Sequence, residues 1–286
     1  MTIEQVILLI LQATLFISAL NLGFGATRFE PSFLFRHPGL FARTFLAMYV
    51  VVPVVTAVIL ILVPLPVGVK TAVILLSISP IATTLPFKME AMGANPAYAY
   101  SLLIGMSLIS VVTVPVSLTI LTALPLAHDA SVPLIEVVKI IAKTILIPLI
   151  LGAVIRRFAP RWAERFSKPI NAVIGKVTMA ALLALLVLNL NGIMEAGVLS
   201  YIVIFVLAAV SLAAGHLLGG PAFGDRVALA MAASSRQMGI ATLIAAINFP
   251  AAVTIDVIVI YLIISLLVTI PYTKWCKKQL VAQVDT

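Results

Sequence analysis

Long apolar runs alternate along this chain with short polar connections, and the runs have membrane-spanning length. A helix of about 20 residues crosses the ~30 Å hydrocarbon core of a bilayer. The pattern predicts about nine spans: Ile3–Phe24, Leu40–Val63, Val69–Met92, Ala97–Leu124, Leu134–Arg156, Ile170–Leu190, Leu199–Leu218, Val227–Ile247 and Val253–Tyr272. Two of them read poorly as plain helices. The third is interrupted by Ser79-Pro80-Ile81-Ala82-Thr83-Thr84-Leu85-Pro86-Phe87-Lys88, the eighth by Ala232-Ala233-Ser234-Ser235-Arg236-Gln237-Met238-Gly239. Inside a bilayer, non-helical backbone survives only where protein buries it or a wet cavity solvates it. Both segments are therefore expected inside the bundle. Polar, Pro- or Gly-interrupted stretches in matching places of two chain halves point to a carrier's binding site.

The order of spans suggests an inverted repeat, with a first unit over about 1–124 and a second over about 134–273. Each interrupted span is followed by one long span, and the two interrupted segments run in opposite senses. That is the arrangement alternating access requires.

Composition narrows the class further. The 286 residues are 63% hydrophobic and only 10% charged, with a mean hydropathy of +1.23; soluble domains run at about 25% charged. The expectation is an all-α polytopic membrane protein forming a single unit over 1–286, without a separate soluble domain. The net charge of +8 does not mark a nucleic-acid binder, because the basic residues fall at span ends, where topology and anionic headgroups account for them. The single cysteine, Cys276, lies beside Lys274, Lys277 and Lys278 and can form no internal disulfide. The N-terminus lacks a basic leader and a small-residue cleavage site, so Ile3–Phe24 is expected as a retained span.

Charge also orients the chain. One set of connections carries Arg28, Arg36 and Arg43, then Arg156, Arg157, Arg161, Arg165 and Lys168, then Arg226, then the tail lysines; the alternate set holds little beyond Lys70, His128, Asp129 and Glu195. The positive-inside rule puts the N-terminus outside and the C-terminus in the cytoplasm of the cell (inner) membrane. The stretch Arg156–Lys168, with Trp162 and Phe166, is expected as an interfacial cytoplasmic connector.

The chemistry concentrates at the two interruptions. Pro80 and Pro86 remove backbone donors and release carbonyls of the preceding turn, which with the hydroxyls of Thr83 and Thr84 give a polar cavity lining. Lys88 either points back toward that lining or snorkels to the surface beside Glu90. Arg236 lies about ten residues from either end of its span, too deep to snorkel; its five donors need carbonyls, a carboxylate or a bound anion. A cation at this depth costs roughly 2.5–3.5 kcal/mol on insertion scales. Ser234, Ser235 and Gln237 surround it in sequence. Asn21 either faces the cavity or bonds a neighbouring helix. His216, near a span end, is expected to be simply hydrogen-bonded, and Asn189 and Asn191 to be solvated. Asp256 fits a proton carrier and a cation's partner equally. Glu136, Lys139 and Lys143 share a helical spacing that suits mutual pairing. No nucleophile elbow, phosphate loop, His-Glu-x-x-His or cysteine metal cluster occurs, so no enzyme is indicated.

At these residues the chain resembles the bile acid:sodium symporter family. Leu20-Asn21-Leu22-Gly23, Arg36-His37-Pro38 and Ser79-Pro80 through Gly93-Ala94-Asn95 look like that family's first repeat; Leu149-Ile150-Leu151-Gly152 and Gly239-Ile240-Ala241 look like parts of its second. The resemblance implies a panel of helices beside a core whose two broken helices cross near mid-membrane, in a nine-helix member lacking the extra first helix of ten-helix relatives. It implies organic-anion substrates. It also exposes departures. Where the family places Ser and Asn sodium ligands this chain has Leu85 and Pro86, and where it places Glu and Gln this chain has Ala232 and Arg236. The expectation is a secondary transporter of a small organic anion that does not use the family's sodium sites, with Arg236 providing the charge that sodium provides elsewhere. Arg236, Thr83, Thr84, Ser234, Ser235, Gln237, Lys88 and Asn21 form the expected substrate site. Proton coupling and simple facilitation both remain open. Sodium symport through backbone carbonyls, and a membrane sensor or structural protein using the same fold, are the competing readings; oligomeric state is left open.

Overall fold

The computed structural model of the chain describes residues 2–25, 32–123, 134–188, 190–248 and 252–284. Arg28, His128, Asp129 and Asn189 lie outside the described residues, as do the side chains of Asn191 and Glu195. Seven helices among the described residues are long and apolar enough to cross a membrane. These are α1 (Ile3–Phe24), α2 (Pro38–Leu62), α5 (Pro96–Ala123), α6 (Leu134–Phe158), α7 (Pro160–Leu188), α8 (Leu190–Leu218) and α11 (Ala252–Val284). Two further stretches are broken helix pairs, α3 (Val67–Ile78) with α4 (Pro86–Glu90), and α9 (Phe223–Ser234) with α10 (Met238–Asn248). The chain is an all-α polytopic membrane protein.

Local chemistry sets the element ends. Thr2 and Gln5 form a reciprocal capping box at α1, with Gln5 N–H donating to Thr2 Oγ1 at 3.3 Å and Thr2 N–H to Gln5 Oε1 at 3.0 Å. Pro38, Pro86, Pro96 and Pro160 each open a helix, a position where the missing N–H is no loss. Gly93, at φ 79°, takes a left-handed turn before α5 that a side chain would oppose. In α8 the helical path is interrupted at Gly197, φ 72°.

One connector differs from expectation. Arg161, Arg165 and Lys168 do not lie in a connector between two helices; only Ala159 separates α6 from α7. Pro160 starts α7 immediately, and Trp162 anchors its first turns edge-on to Phe24, with ring centroids 6.1 Å apart, and against Phe166 at 4.7 Å. The basic stretch is the first part of a 29-residue helix. Likewise α11 runs on to Val284, well past the predicted Tyr272.

The helices fall into two packed groups. In one, α1 packs along α6 and α7; in the other, α8 packs on α9 and α11, and α3 sits between α2 and α11. Apolar clusters fill both halves of the interior around the broken helices. The first group is clamped by glycines. A Cβ on Gly23 would lie 2.4 Å from the Leu149 carbonyl oxygen, and one on Gly152 only 2.0 Å from that of Leu20. The backbones of α1 and α6 thus touch where neither residue has a side chain, the close approach by which small residues let membrane helices gain packing.

Gly152→Ala should therefore push α1 from α6 and lower stability by about 1–3 kcal/mol or more, seen as a lower unfolding midpoint in detergent. Gly39→Ala, where a new Cβ meets nothing within 4 Å, should be neutral or slightly stabilising.

Candidate functional site

The two broken helices meet at their interruptions. Helix α3 ends at Ile78, the ψ of 142° at Ser79 turns the chain out of the helix, and Pro80 follows, which biases the preceding residue to extended backbone. Helix α9 ends at Ser234, and Ser235 leaves the helical path at ψ 87°. The extended residues then pair as a minimal antiparallel bridge between Ile81 and Arg236. Ala82 N–H donates to Ser235 O at 3.0 Å, and Gln237 N–H donates to Pro80 O at 2.8 Å. Backbone groups that neither helix can satisfy are satisfied by the other interruption, as the membrane interior demands.

Arg236 lies at this crossing and is 1% exposed. Its Nη1 donates to Ser79 O at 3.2 Å, and Nη2 makes a long contact of 3.5 Å with Met48 O. The Met48 carbonyl is available for a sequence-encoded reason. A π turn over Leu46–Val51 shifts pairing toward the residue five ahead, and that residue is Pro53, which has no N–H. The end of α3 adds the negative pole of its peptide dipoles. Tyr261 closes the crossing from α11, donating its hydroxyl to Ser234 O at 2.8 Å. Among the described residues no carboxylate pairs with Arg236, and its Nε has no hydrogen-bond partner.

A second link joins the broken halves near the start of α9. Asn95 N–H donates to Gly224 O at 3.3 Å, and its side-chain amide donates to Asp225 Oδ1 at 3.1 Å. Its Oδ1 accepts from the N–H groups of Ala97 and Tyr98 at 3.1 and 3.4 Å, capping α5.

A cavity of about 580 Å³ extends from the crossing toward the end of the bundle that carries Lys88, Lys176 and Lys277. Thr84, Ser235, Arg236 and Gln237 border its floor; Ser18, Asn171 and Thr178 face it from α1 and α7. From α11 come Ser265, Thr269, Thr273 and Lys277, each four residues from the last and so on one helix face. These three hydroxyls donate to their own helix, Ser265 to Leu262 O at 2.9 Å, Thr269 to Ser265 O at 2.7 Å and Thr273 to Thr269 O at 2.8 Å. With the hydrogens committed, they turn lone pairs toward the cavity.

Of the expected site residues, Thr84, Ser235, Gln237 and Lys88 line the cavity. Arg236 borders it, but its guanidinium reaches Ser79 and Met48, neither of which lines it. Thr83 and Ser234 are buried outside the lining. Ser234 Oγ donates to Ala230 O at 2.9 Å, while Thr83 Oγ1 lies 2.7 Å from Ser18 Oγ. Since Ser18 gives its hydrogen to Leu15 O, Thr83 is the donor of that pair. Asn21 is 6% exposed, outside the lining, and its Oδ1 finds no partner among the described residues. Lys88 takes the exposed, cavity-lining placement, with no ion pair to Glu90 among the described residues. His216 is hydrogen-bonded, Nδ1 to Tyr272 Oη at 2.8 Å. Lys139 pairs with Glu136 at 2.7 Å. Asp256 is fully buried on α11 and stands apart from the cavity.

Sequence reasoning missed Ser18, Asn171, Lys176 and the α11 face. The four-residue spacing of Ser265, Thr269, Thr273 and Lys277 was a readable signal for the last of these. The Ser18–Thr83 contact, between residues 65 apart, had none.

Crossed discontinuous helices flooring a cavity inside a polytopic bundle define a membrane transport protein of the kind built on broken helices. The chain belongs to the Sodium Bile acid symporter family, whose model matches residues 14–198. That match runs from α1 through the first broken helix and α7; the second broken helix lies beyond it. No curated protein matches the chain.

The Ser18–Thr83 bond should be measurable in a double-mutant cycle with Ser18→Ala and Thr83→Val. A coupling of about 1 kcal/mol in unfolding in detergent is expected; additive effects would show that the bond adds nothing.

Proposed function

We propose that the protein is a sodium-independent secondary transporter of a small organic anion, working by alternating access. The observation that carries this reading is the guanidinium of Arg236, fixed on the carbonyl oxygens of Ser79 and Met48 at the crossing. Such oxygens are what a bound sodium ion would use, and here a permanent cation already takes them. A sodium ion added beside it would face a like charge in a low-dielectric interior, where repulsion is far stronger than in water. The charge that a coupling ion brings and removes in each cycle is, in this chain, covalently attached.

The anion follows from what faces the cavity. Three lysines line it and, among the described residues, no aspartate or glutamate does. Met238 and Gly239, the first residues of α10, also border it, turning the positive pole of an 11-residue helix toward the ligand. Thr84, Ser235 and Gln237 provide polar contacts at the floor. Arg236 acts on the anion through the field of the crossing.

The positive-inside rule places the basic end of the bundle in the cytoplasm. The cavity then opens inward, with the N-terminus outside and the chain in the cell (inner) membrane. Motion of the group containing the broken helices against the group formed by α1, α6 and α7 would close it and open the opposite side. A substrate gradient or a proton gradient supplies the drive.

Uptake into proteoliposomes tests this. Saturable uptake of organic anions should persist when sodium is replaced by choline on both sides; uptake that appears only with a sodium gradient would overturn the proposal. Arg236→Gln should reduce uptake by at least about tenfold and lower the unfolding midpoint, because buried carbonyls lose a charged donor worth about 1.5–3 kcal/mol. Wild-type uptake in that variant would assign Arg236 no part in transport.

A further inference from the structure

Besides Arg236 at its floor, the cavity draws positive charge from lysines on three separate helices. Lys88 stands on α4, Lys277 on α11 and Lys176 on α7, so two belong to the group holding the broken helices and one to the group packed around α1. All three are exposed and all three line the same cavity. Among the described residues none has a carboxylate within 4.0 Å, and no acidic residue joins the lining. Two other basic residues, Arg156 and Arg226, are by contrast engaged by the protein itself. Arg156 Nη1 donates to Pro160 O at 2.9 Å, and Arg226 Nε donates to Gly220 O at 2.7 Å. Topology accounts for positive charge at the ends of helices. It does not require three ammonium groups from separate helices to converge on one cavity without a counter-charge.

A single carboxylate leaves most of that charge uncompensated. Walls of low dielectric concentrate the field in such a cleft, so each uncompensated ammonium opposes the others more strongly than on an open surface. The opposition falls across the moving boundary, since Lys176 lies on one side of it and Lys88 and Lys277 on the other. An anion with two negative charges can engage both sides at once. Lysine reads charge rather than shape, as a compact ammonium without the fork geometry of arginine, so separate ammonium groups suit an anion whose charges are themselves separated.

We propose that Lys88, Lys176 and Lys277 form a charge-counting site that selects small organic dianions of the dicarboxylate type over monoanions. The proposal rests on the reading of this cavity as an anion site and adds the charge of the ligand to it. The four-residue face of α11 fits the same ligand. Its hydroxyls offer lone pairs to water or ligand hydroxyls between the charged ends, while the lysines hold the carboxylates.

The test compares matched acids on the purified full-length protein, by ligand-induced shift of the unfolding midpoint and by competition. The pairs are butyrate with succinate, hexanoate with adipate, and octanoate with suberate. Each dicarboxylate should bind about fivefold more tightly than its monocarboxylate at low ionic strength, the upper end of what one further exposed ion pair contributes. The preference should shrink as salt rises. Lys88→Gln, Lys176→Gln and Lys277→Gln should each narrow it, whereas Lys168→Gln, outside the lining, should leave it unchanged. Equal binding within every pair would overturn the charge-counting site while the anion reading stands. A preference that survives all three lining substitutions would also overturn it. Failure of all six acids to bind would overturn the anion reading and the inference together.

Discussion

The buried charge of Arg236 at the crossing of the broken helices organises this protein. The Arg236 guanidinium cannot leave the bilayer core and cannot lose its proton there, so the chain must bring acceptors to it. Those acceptors come from places where helical hydrogen bonding has been given up: Ser79 at the end of α3 and Met48 in the π turn of α2. Each sacrifice makes sense only in the presence of the arginine. A freed carbonyl in a membrane interior is costly, and a buried guanidinium without carbonyls is costlier. Together, and with the two backbone bonds between Pro80–Ala82 and Ser235–Gln237, they close a polar knot that neither half could form alone.

The rest of the architecture frames that knot. Glycine contact between Leu20–Gly23 and Leu149–Gly152 seats α1 on α6 backbone to backbone, while Asn95 fastens the start of α9 to the start of α5. The first joins α1 and α6 into one plate; the second ties the segment after α4 to the start of α9, within the body that holds the broken helices. Between plate and body lies the cavity. Its charge therefore sits on the boundary across which the two would slide.

Much of this could be read from the residues because the bilayer leaves few options. Runs of apolar residues marked the helices, seven of which among the described residues are long and apolar enough to cross a membrane, and the prolines with Arg236 located both interruptions. What could not be read were pairings set by tertiary approach. Nothing local distinguishes Thr83, which turns to Ser18, from Thr84, which lines the cavity; they are neighbours on an irregular segment with no period to assign their faces. Arg236 was legible as a buried cation, but the Met48 carbonyl that meets it lies 188 residues away. It could have been suspected only from Pro53 and the π turn together. The basic stretch from Arg161 to Lys168 misled for the opposite reason. Its composition fits a connector with an amphipathic turn, whereas Pro160, separated from α6 only by Ala159, starts a long helix there.

The Ser18–Thr83 contact gives the boundary between plate and body an unusual mechanical character. Away from the cavity that boundary is packed with apolar side chains, which resist separation but offer little preference for one alignment over another. Under the proposed alternating access, this buried hydroxyl pair beside the crossing would act as a detent. It would be strong enough to define a resting alignment and weak enough, at about 1 kcal/mol net, for thermal motion to override. The resting position of the machine would then be set by two small hydroxyl groups, while its large apolar surfaces serve as bearings.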